Sequence, residues 1–301
     1  MARPNLVVVR AGNHSLHPHW LNGDGGRNWD LVVSYFGDDP NLFKTDDVIR
    51  IVGKGPKWQG LYALFTHHPE FLNGYEYILL PDDDLMMSKE DINRLFDICK
   101  MQGLEVGHPA LTWNSYWSHL VTLRNAGTRL RYTNFIELMA PCLSRAIVNK
   151  TLGYFADTLS GWGLEEAWAK LSGPMKMAII DEVAIRHTRP VGGPNYKALR
   201  DKNVSPWDEM RQLCRDVGAD ERPIIETYSA ITTSGRRIDR AKYDRLFDFR
   251  ILSGWLAALI ETPSPKPLGR RMAGYGYKAL RQLPNRVVEY RGHDIGCVRS
   301  R

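Results

Sequence analysis

The chain has 301 residues, of which 43% are hydrophobic and 25% charged, with a formal net charge of +6. That length holds one large α/β domain, or one domain with an appendage, and a core large enough to need neither disulfides nor a structural metal. The composition excludes a disordered or collagen-like chain, and no run approaches the roughly 20 apolar residues that cross a bilayer, the best candidate being 251–260.

Strand and helix signals alternate through the first two thirds, which predicts an α/β domain with a largely parallel sheet flanked by helices. Short β-branched runs at 6–9 and 31–35 are bounded by Ala11-Gly12-Asn13 and Gly37-Asp38-Asp39-Pro40. A third strand at 48–52 closes on Gly53-Lys54-Gly55-Pro56, and helical spacing follows over 58–67, with Leu61, Leu64 and Phe65 on one face. The strand predicted at 75–80 runs straight into Pro81-Asp82-Asp83-Asp84. Ser88, with Asp91 three residues on, predicts a capped helix whose stripe is Ile92, Leu95, Phe96 and Cys99. Further on come a helix over 164–171, strand segments at 177–180 and 183–185 on either side of Asp181-Glu182, a turn at 190–194 and a helix over 207–217.

This pattern places a catalytic domain at 1–230 and a helical, basic appendage at 231–301. In the appendage Phe249, Leu252, Leu256, Leu259 and Ile260 have helical spacing. From Lys266 to the end, nine Lys or Arg stand against Glu289 and Asp294, a net +7, which leaves the rest near neutrality. Such a tail can hold an anionic membrane surface, a nucleic acid or an acidic polymer, and the apolar spacing beside it favours a membrane. A helix packed on the catalytic domain, with the tail solvated, fits the same residues.

Cys99, Cys142, Cys214 and Cys297 show no paired spacing and are expected to be free thiols of a reducing compartment. The opening MARPNLVVVR is too short an apolar run for a signal peptide, so a cytoplasmic location is expected, peripheral to the inner face of the membrane if the tail binds it.

Three consecutive carboxylates at the end of an apolar strand are an unusual choice. Ligands of open α/β sheets bind at the carboxyl ends of strands. Asp82 and Asp84 would share one side of a continuing strand and suit a hard octahedral cation, Mg²⁺ or Mn²⁺. Such an ion can bridge a diphosphate. A solvated turn with a helix cap is the competing reading. In Ser160-Gly161-Trp162-Gly163-Leu164-Glu165-Glu166, glycines flank a tryptophan and two acids open a helix. A carboxylate there could deprotonate an acceptor hydroxyl and Trp162 could meet a sugar face, or the acids could simply suit the helix dipole. His187, after a strand-like run, could complete a metal site.

Together these stretches resemble the GT-A fold of nucleotide-diphospho-sugar transferases. The resemblance implies an Asp-x-Asp metal motif at Asp82-Asp83-Asp84, with His187 completing it. It also implies a Gly-Trp-Gly-x-Glu-Asp motif whose last acid, the catalytic base, is Glu166. Glutamate stands there in place of the commoner aspartate, which leaves Glu165 open for the same role. A closer resemblance is to the family known as domain of unknown function 707, through LHPHWL, DLVVSYFG, KWQGL, YEYILLPDDDL, FIELMAPCLSR, SGWGLEEAW and IIDEVAIRHTRPVGG, which span 16–193 in order.

The implied activity is a metal-dependent, inverting transfer of a sugar from a nucleoside-diphosphate donor to a saccharide or lipid-linked acceptor, as in surface polysaccharide synthesis, with no nucleic acid partner. Arg10 and Gly12 are expected at the base and ribose, and Lys54, Lys57 and Asp83 at the diphosphate. Trp113 and Trp117 are candidates for an acceptor groove or for core packing. His14, His17 and His19 lack an acidic or cysteine partner at fixed spacing. A metal-dependent nucleotidyltransferase or phosphohydrolase could use the same aspartates, and a carbohydrate-binding protein could keep the fold without the chemistry.

Overall fold

The computed structural model describes residues 3–191, 199–221, 224–240 and 245–263. Strands β1 (Asn5–Ala11) and β2 (Trp29–Tyr35) are continuous apolar runs because both faces are covered, as central parallel strands require. Val7, Val9 and Ala11 point into one core and Leu6 and Val8 into the other. β3 (Ile49–Val52) is an edge strand with Ile49 and Val52 exposed, and α1 (Lys57–His67) follows it. A short α2 (Glu70–Asn73) leads to β4 (Tyr77–Leu79) and β5 (Leu85–Met86). The capping box expected at Ser88 and Asp91 is present and opens α3 (Lys89–Met101).

Next come β6 (Val106–Leu111), β7 (Thr128–Thr133), β8 (Cys142–Ser144), α4 (Arg145–Asp157), α5 (Leu164–Ser172) and β9 (Met177–His187). The described chain ends with α6 (Pro206–Val217), β10 (Thr227–Thr232), β11 (Arg237–Asp239) and α7 (Arg245–Glu261). The strands form one sheet in the order β11-β10-β7-β9-β6-β8-β4-β1-β2-β3, with β5 paired to the end of β9. Helices α3 and α7 cover one face, and α1, α4 and α5 the other.

The α/β expectation holds, but the sheet is mixed. The pairs among β3, β2, β1 and β4 are parallel, as is β6 with β9, while β8 and β7 are antiparallel to their neighbours. The two strand segments expected around Asp181-Glu182 are one strand. Ile180 pairs with Pro109 and Ala184 with Ala110, so β9 bulges over 181–183 opposite a proline that has no N–H to offer. The turn expected at 190–194 lies outside the described residues from 192 on, as does Cys297. Cys99, Cys142 and Cys214 are free and buried.

The described part of 231–301 is continuous with the main body. β11 extends the same sheet through β10, and α7 buries Phe247, Ile251 and Trp255 in the same core as β1 and α3. The bulge explains the attachment. Asp181 turns inward there and accepts hydrogen bonds from Arg131 Nε (2.8 Å) and Nη2 (2.9 Å), Asn125 N (2.8 Å) and Thr128 Oγ1 (2.6 Å). Arg131 lies over the Trp255 ring, and Trp255 Nε1 donates to Leu123 O at 3.1 Å.

Candidate functional site

The parallel strands β1, β4, β6 and β9 all deliver their carboxyl ends to one edge of the sheet, the place where open α/β sheets take ligands. There β1 ends at Gly12, β4 runs into the aspartates, and β9 ends at His187. The β5–β9 bridge, Leu85 opposite His187, draws Asp84 against the end of β9. Thr188 N and Oγ1 both donate to Asp84 O, at 3.1 and 2.8 Å.

The three carboxylates have different partners. Asp82 Oδ1 accepts from Lys57 Nζ at 2.6 Å, and the same ammonium donates to Leu138 O at 2.8 Å. Asp83 accepts from Gly12 N at 2.8 Å and from Arg189 Nη1 at 3.0 Å, while Arg189 also reaches His14 O. Asp84 Oδ2 lies 3.3 Å from His187 Nε2, whose Nδ1 bonds Tyr116 O at 2.7 Å. Asp84 Oδ1 is buried and has no hydrogen-bond partner among the described residues.

Crowding by protein raises the Asp82 pKa, with Lys57 working against it, although one edge of the side chain still meets solvent. Burial likewise raises Asp83, against Gly12 N–H and Arg189. For His187, burial opposes the charged form, but the Asp84 carboxylate outweighs it and the net shift is upward. Carboxylates held against their preference, with one buried oxygen unpartnered, form a site short of positive charge.

The donor set fits a divalent ion in part. Asp84 and His187 already converge, and Asp82 is turned onto Lys57. Among the described residues no three His, Cys, Asp or Glu side chains stand together as a ready metal cage. His17 belongs to no cluster either. It is buried against Phe43, and burial lowers its pKa to about 4.

The Gly-Trp-Gly segment sits at the start of α5, on the other face of the sheet from α3. Gly161 (φ 85°) presses on Trp58, where an added Cβ would fall 2.0 Å from Nε1, and Gly163 (φ 98°) turns the chain into the helix. Glu209 of α6 clamps the loop. Its carboxylate accepts from Leu159 N, Ser160 N, Ser160 Oγ and Thr158 Oγ1, and Trp162 packs edge-on against Trp207 at 4.9 Å. Glu209→Ala leaves these donors unanswered and should lower stability by about 1–3 kcal/mol, read as a shifted urea midpoint.

Glu165 and Glu166 each hold one buried oxygen with no partner. Desolvation raises both pKa values, and for Glu165 the charges of Glu166 and Glu137 add to it. Glu137 belongs to the 135–141 loop, whose Met139 O accepts from Asp82 N at 2.7 Å. Burial, with the charges of Glu166, Glu221, Glu165 and Asp220, raises the Cys214 thiol of α6 to about 12.

Several expected ligands are placed elsewhere. Arg10 is buried, donating to Ser34 Oγ, Gly53 O and Gly55 O at 2.7–2.9 Å, and burial lowers its pKa to about 10. It holds the β3–α1 turn. Lys54 is exposed and tied to Phe36 O, Gly37 O and Asp38. Trp113 and Trp117 are 4% and 5% exposed and belong to the core, as the packing alternative expects. Of the cations considered, Lys57 reaches the site. Sequence reasoning missed Arg189 and Glu209. Arg189 was within reach, two residues after His187. Glu209 had no local signal.

The fold and site define an α/β protein with an acidic site at the carboxyl edge of its sheet. Residues 42–224 match the family described as Protein of unknown function (DUF707), and the chain belongs to that family. No curated protein shows significant sequence similarity to the chain. Among solved structures, S. aureus TarS 1-349 is similar at 12% identity and a TM-score of 0.48, over 72% of this chain and 66% of that one. The same fragment in complex with UDP-GlcNAc gives 14% and 0.49, over 71% and 65%. GalNAc-T7 with UDP, GalNAc and Mn2+ gives 10% and 0.47, over 72% and 55%. The chain spans less than two thirds of the length of these proteins, and a likeness this distant assigns neither fold family nor activity.

Proposed function

We propose that the chain is a GT-A-type glycosyltransferase that moves a sugar, with inversion, from a nucleoside-diphosphate donor to a saccharide or lipid-linked acceptor in surface polysaccharide synthesis. The observation that carries this reading is Asp84 Oδ1, buried and unpartnered beside His187 at the carboxyl edge of the sheet. Asp84 and His187 would hold a Mn²⁺ or Mg²⁺ ion, with Asp82 joining if Lys57 turns to the donor. When bound, the ion supplies charge neutralisation for the departing diphosphate. Lys57 and Arg189 are the cations placed to orient that diphosphate. Gly12 N–H and Arg189 fix Asp83. One glutamate of the Glu165–Glu166 pair takes the acceptor proton, its raised pKa suiting a base that works near neutrality. Trp162, half-buried against Trp207, meets the acceptor ring.

Thermal unfolding with nucleoside diphosphates and nucleotide sugars, with and without Mn²⁺, tests the reading. Binding at a hundredfold excess over the dissociation constant stabilises the fold by about 2.7 kcal/mol. A metal-dependent rise in midpoint is expected in the wild type and absent in Asp84→Ala. No shift with any nucleotide, or an equal shift in Asp84→Ala, would overturn the assignment.

A further inference from the structure

Helix α7 is apolar on both sides, and one side has nowhere to go. Its buried side is locked to the body. Asn125 Nδ2 donates to Ile251 O at 2.8 Å, Ala126 N donates to Gly254 O at 3.0 Å, and a Cβ on Gly254 would fall 1.9 Å from Asn125 Oδ1. The helix therefore cannot roll to hide its other side. There Phe249 (65% exposed), Leu252 (48%), Leu256 (43%) and Ile260 (56%) form a single stripe at spacings of three, four and four. Isolated exposed leucines are ordinary, but a contiguous stripe of large side chains marks a contact surface.

Charge identifies what it touches. Arg245 and Arg250 are exposed on the same helix. The acids Asp248 and Glu261 are paired with Arg240 at 3.2 Å and Arg124 at 3.0 Å. Five residues after the helix ends, at Lys266, begins the stretch of net +7. A second copy of the chain would carry a second stretch of the same net +7, and like charges repel. The stretch itself carries eleven charged residues among 36, a poor match for an apolar stripe. An anionic bilayer answers both features at once, taking the stripe among its acyl chains and the basic residues among its headgroups. The helix has 17 residues, and no helix among the described residues is long and apolar enough to cross a membrane.

We infer that the outer face of α7 is a membrane-docking surface that lies in the plane of an anionic lipid leaflet. This holds whether or not the carboxyl-edge site transfers sugars. The test is co-sedimentation of the full chain with vesicles of phosphatidylcholine alone or mixed with phosphatidylglycerol. Binding to the anionic vesicles is expected, with at least a tenfold loss of affinity between low and high salt. Phe249→Glu with Leu256→Glu should weaken binding at least tenfold without changing the unfolding midpoint, since both side chains are exposed. Met101→Glu, exposed at the end of α3, should leave binding intact. Replacing Arg270, Arg271, Lys278 and Arg281 by glutamine should weaken binding in a salt-dependent way. Equal binding to both vesicle types, or unchanged binding of the Phe249/Leu256 variant, would overturn the inference. So would a wild-type dimer in light scattering that the same variant dissociates, because the stripe would then belong to a second copy.

Discussion

Asp181→Ala is expected to lower stability by about 3–5 kcal/mol, the loss seen when one partner of a buried ion pair is removed. Asp181 and Arg131 are both fully buried, so neither charge can fall back on water. The substitution strands the guanidinium together with the Asn125 N–H and the Thr128 hydroxyl. Against a typical total of about 5–15 kcal/mol, little would remain. A urea titration should show the midpoint falling by roughly 1–5 M, taking a slope of about 1–3 kcal/mol per M. Replacing both partners, Asp181→Leu with Arg131→Met, often rescues a buried pair, but here the rescue should be partial. Arg131 also donates to Val121 O and Leu123 O at 2.8 Å, and an apolar pair leaves the Val121 carbonyl unanswered. Full recovery in the double variant, or a single-variant loss under about 0.5 kcal/mol, would show that the node carries little.

That node also shows where reading the sequence stops. The runs of β1 and β2 were legible because strands covered on both faces need apolar residues at every position. The aspartates at the end of β4 were legible because three carboxylates after such a run have no packing purpose. β9 was read as two segments because Asp181-Glu182 looks like an interruption, and the residue that makes Asp181 an interior one, Arg131, lies 50 positions away. β6 was missed because Pro109 reads as a breaker, whereas the bulge opposite it removes the need for its N–H.

Arg10 suits a ligand by its position at a strand end. Its burial follows from Ser34 and the 53–55 turn, which are distant in sequence. Tryptophan content could not separate Trp162, half-buried beside the glutamates, from Trp113 and Trp117 in the core. The two acids after Gly163 were legible as a pair. The charges around them, Glu137 from 135–141 and Cys214 of α6, lie far away in sequence and leave no local pattern.

Glu165→Gln and Glu166→Gln should therefore separate chemistry from stability in opposite directions. Each wild-type carboxyl has an oxygen buried without a partner, and each pKa is raised, by desolvation first and, for Glu165, by the charge of Glu166. An acid whose folded pKa lies above its unfolded value binds protons more readily in the fold. Its contribution to stability is thus lost as pH rises through the folded pKa. Removing either charge should raise the unfolding midpoint at pH 8, and the gain should shrink toward pH 4.5, where the wild-type groups are protonated. The two gains should add to more than the double variant delivers, because removing one charge already relieves the other. Turnover should move the other way. The glutamate that serves as base should lose roughly a hundredfold to ten-thousandfold when replaced, while nucleotide and metal affinity at Asp84 stay unchanged. The resemblance to Gly-Trp-Gly-x-Glu-Asp assigns that loss to Glu166 and, with glutamate in place of the commoner aspartate there, leaves Glu165 open for the same role, so the two variants decide between them. Full turnover in both would rule out a glutamate base. A fall in midpoint at pH 8 in both would show that the pair braces the fold and is not held at a cost for chemistry.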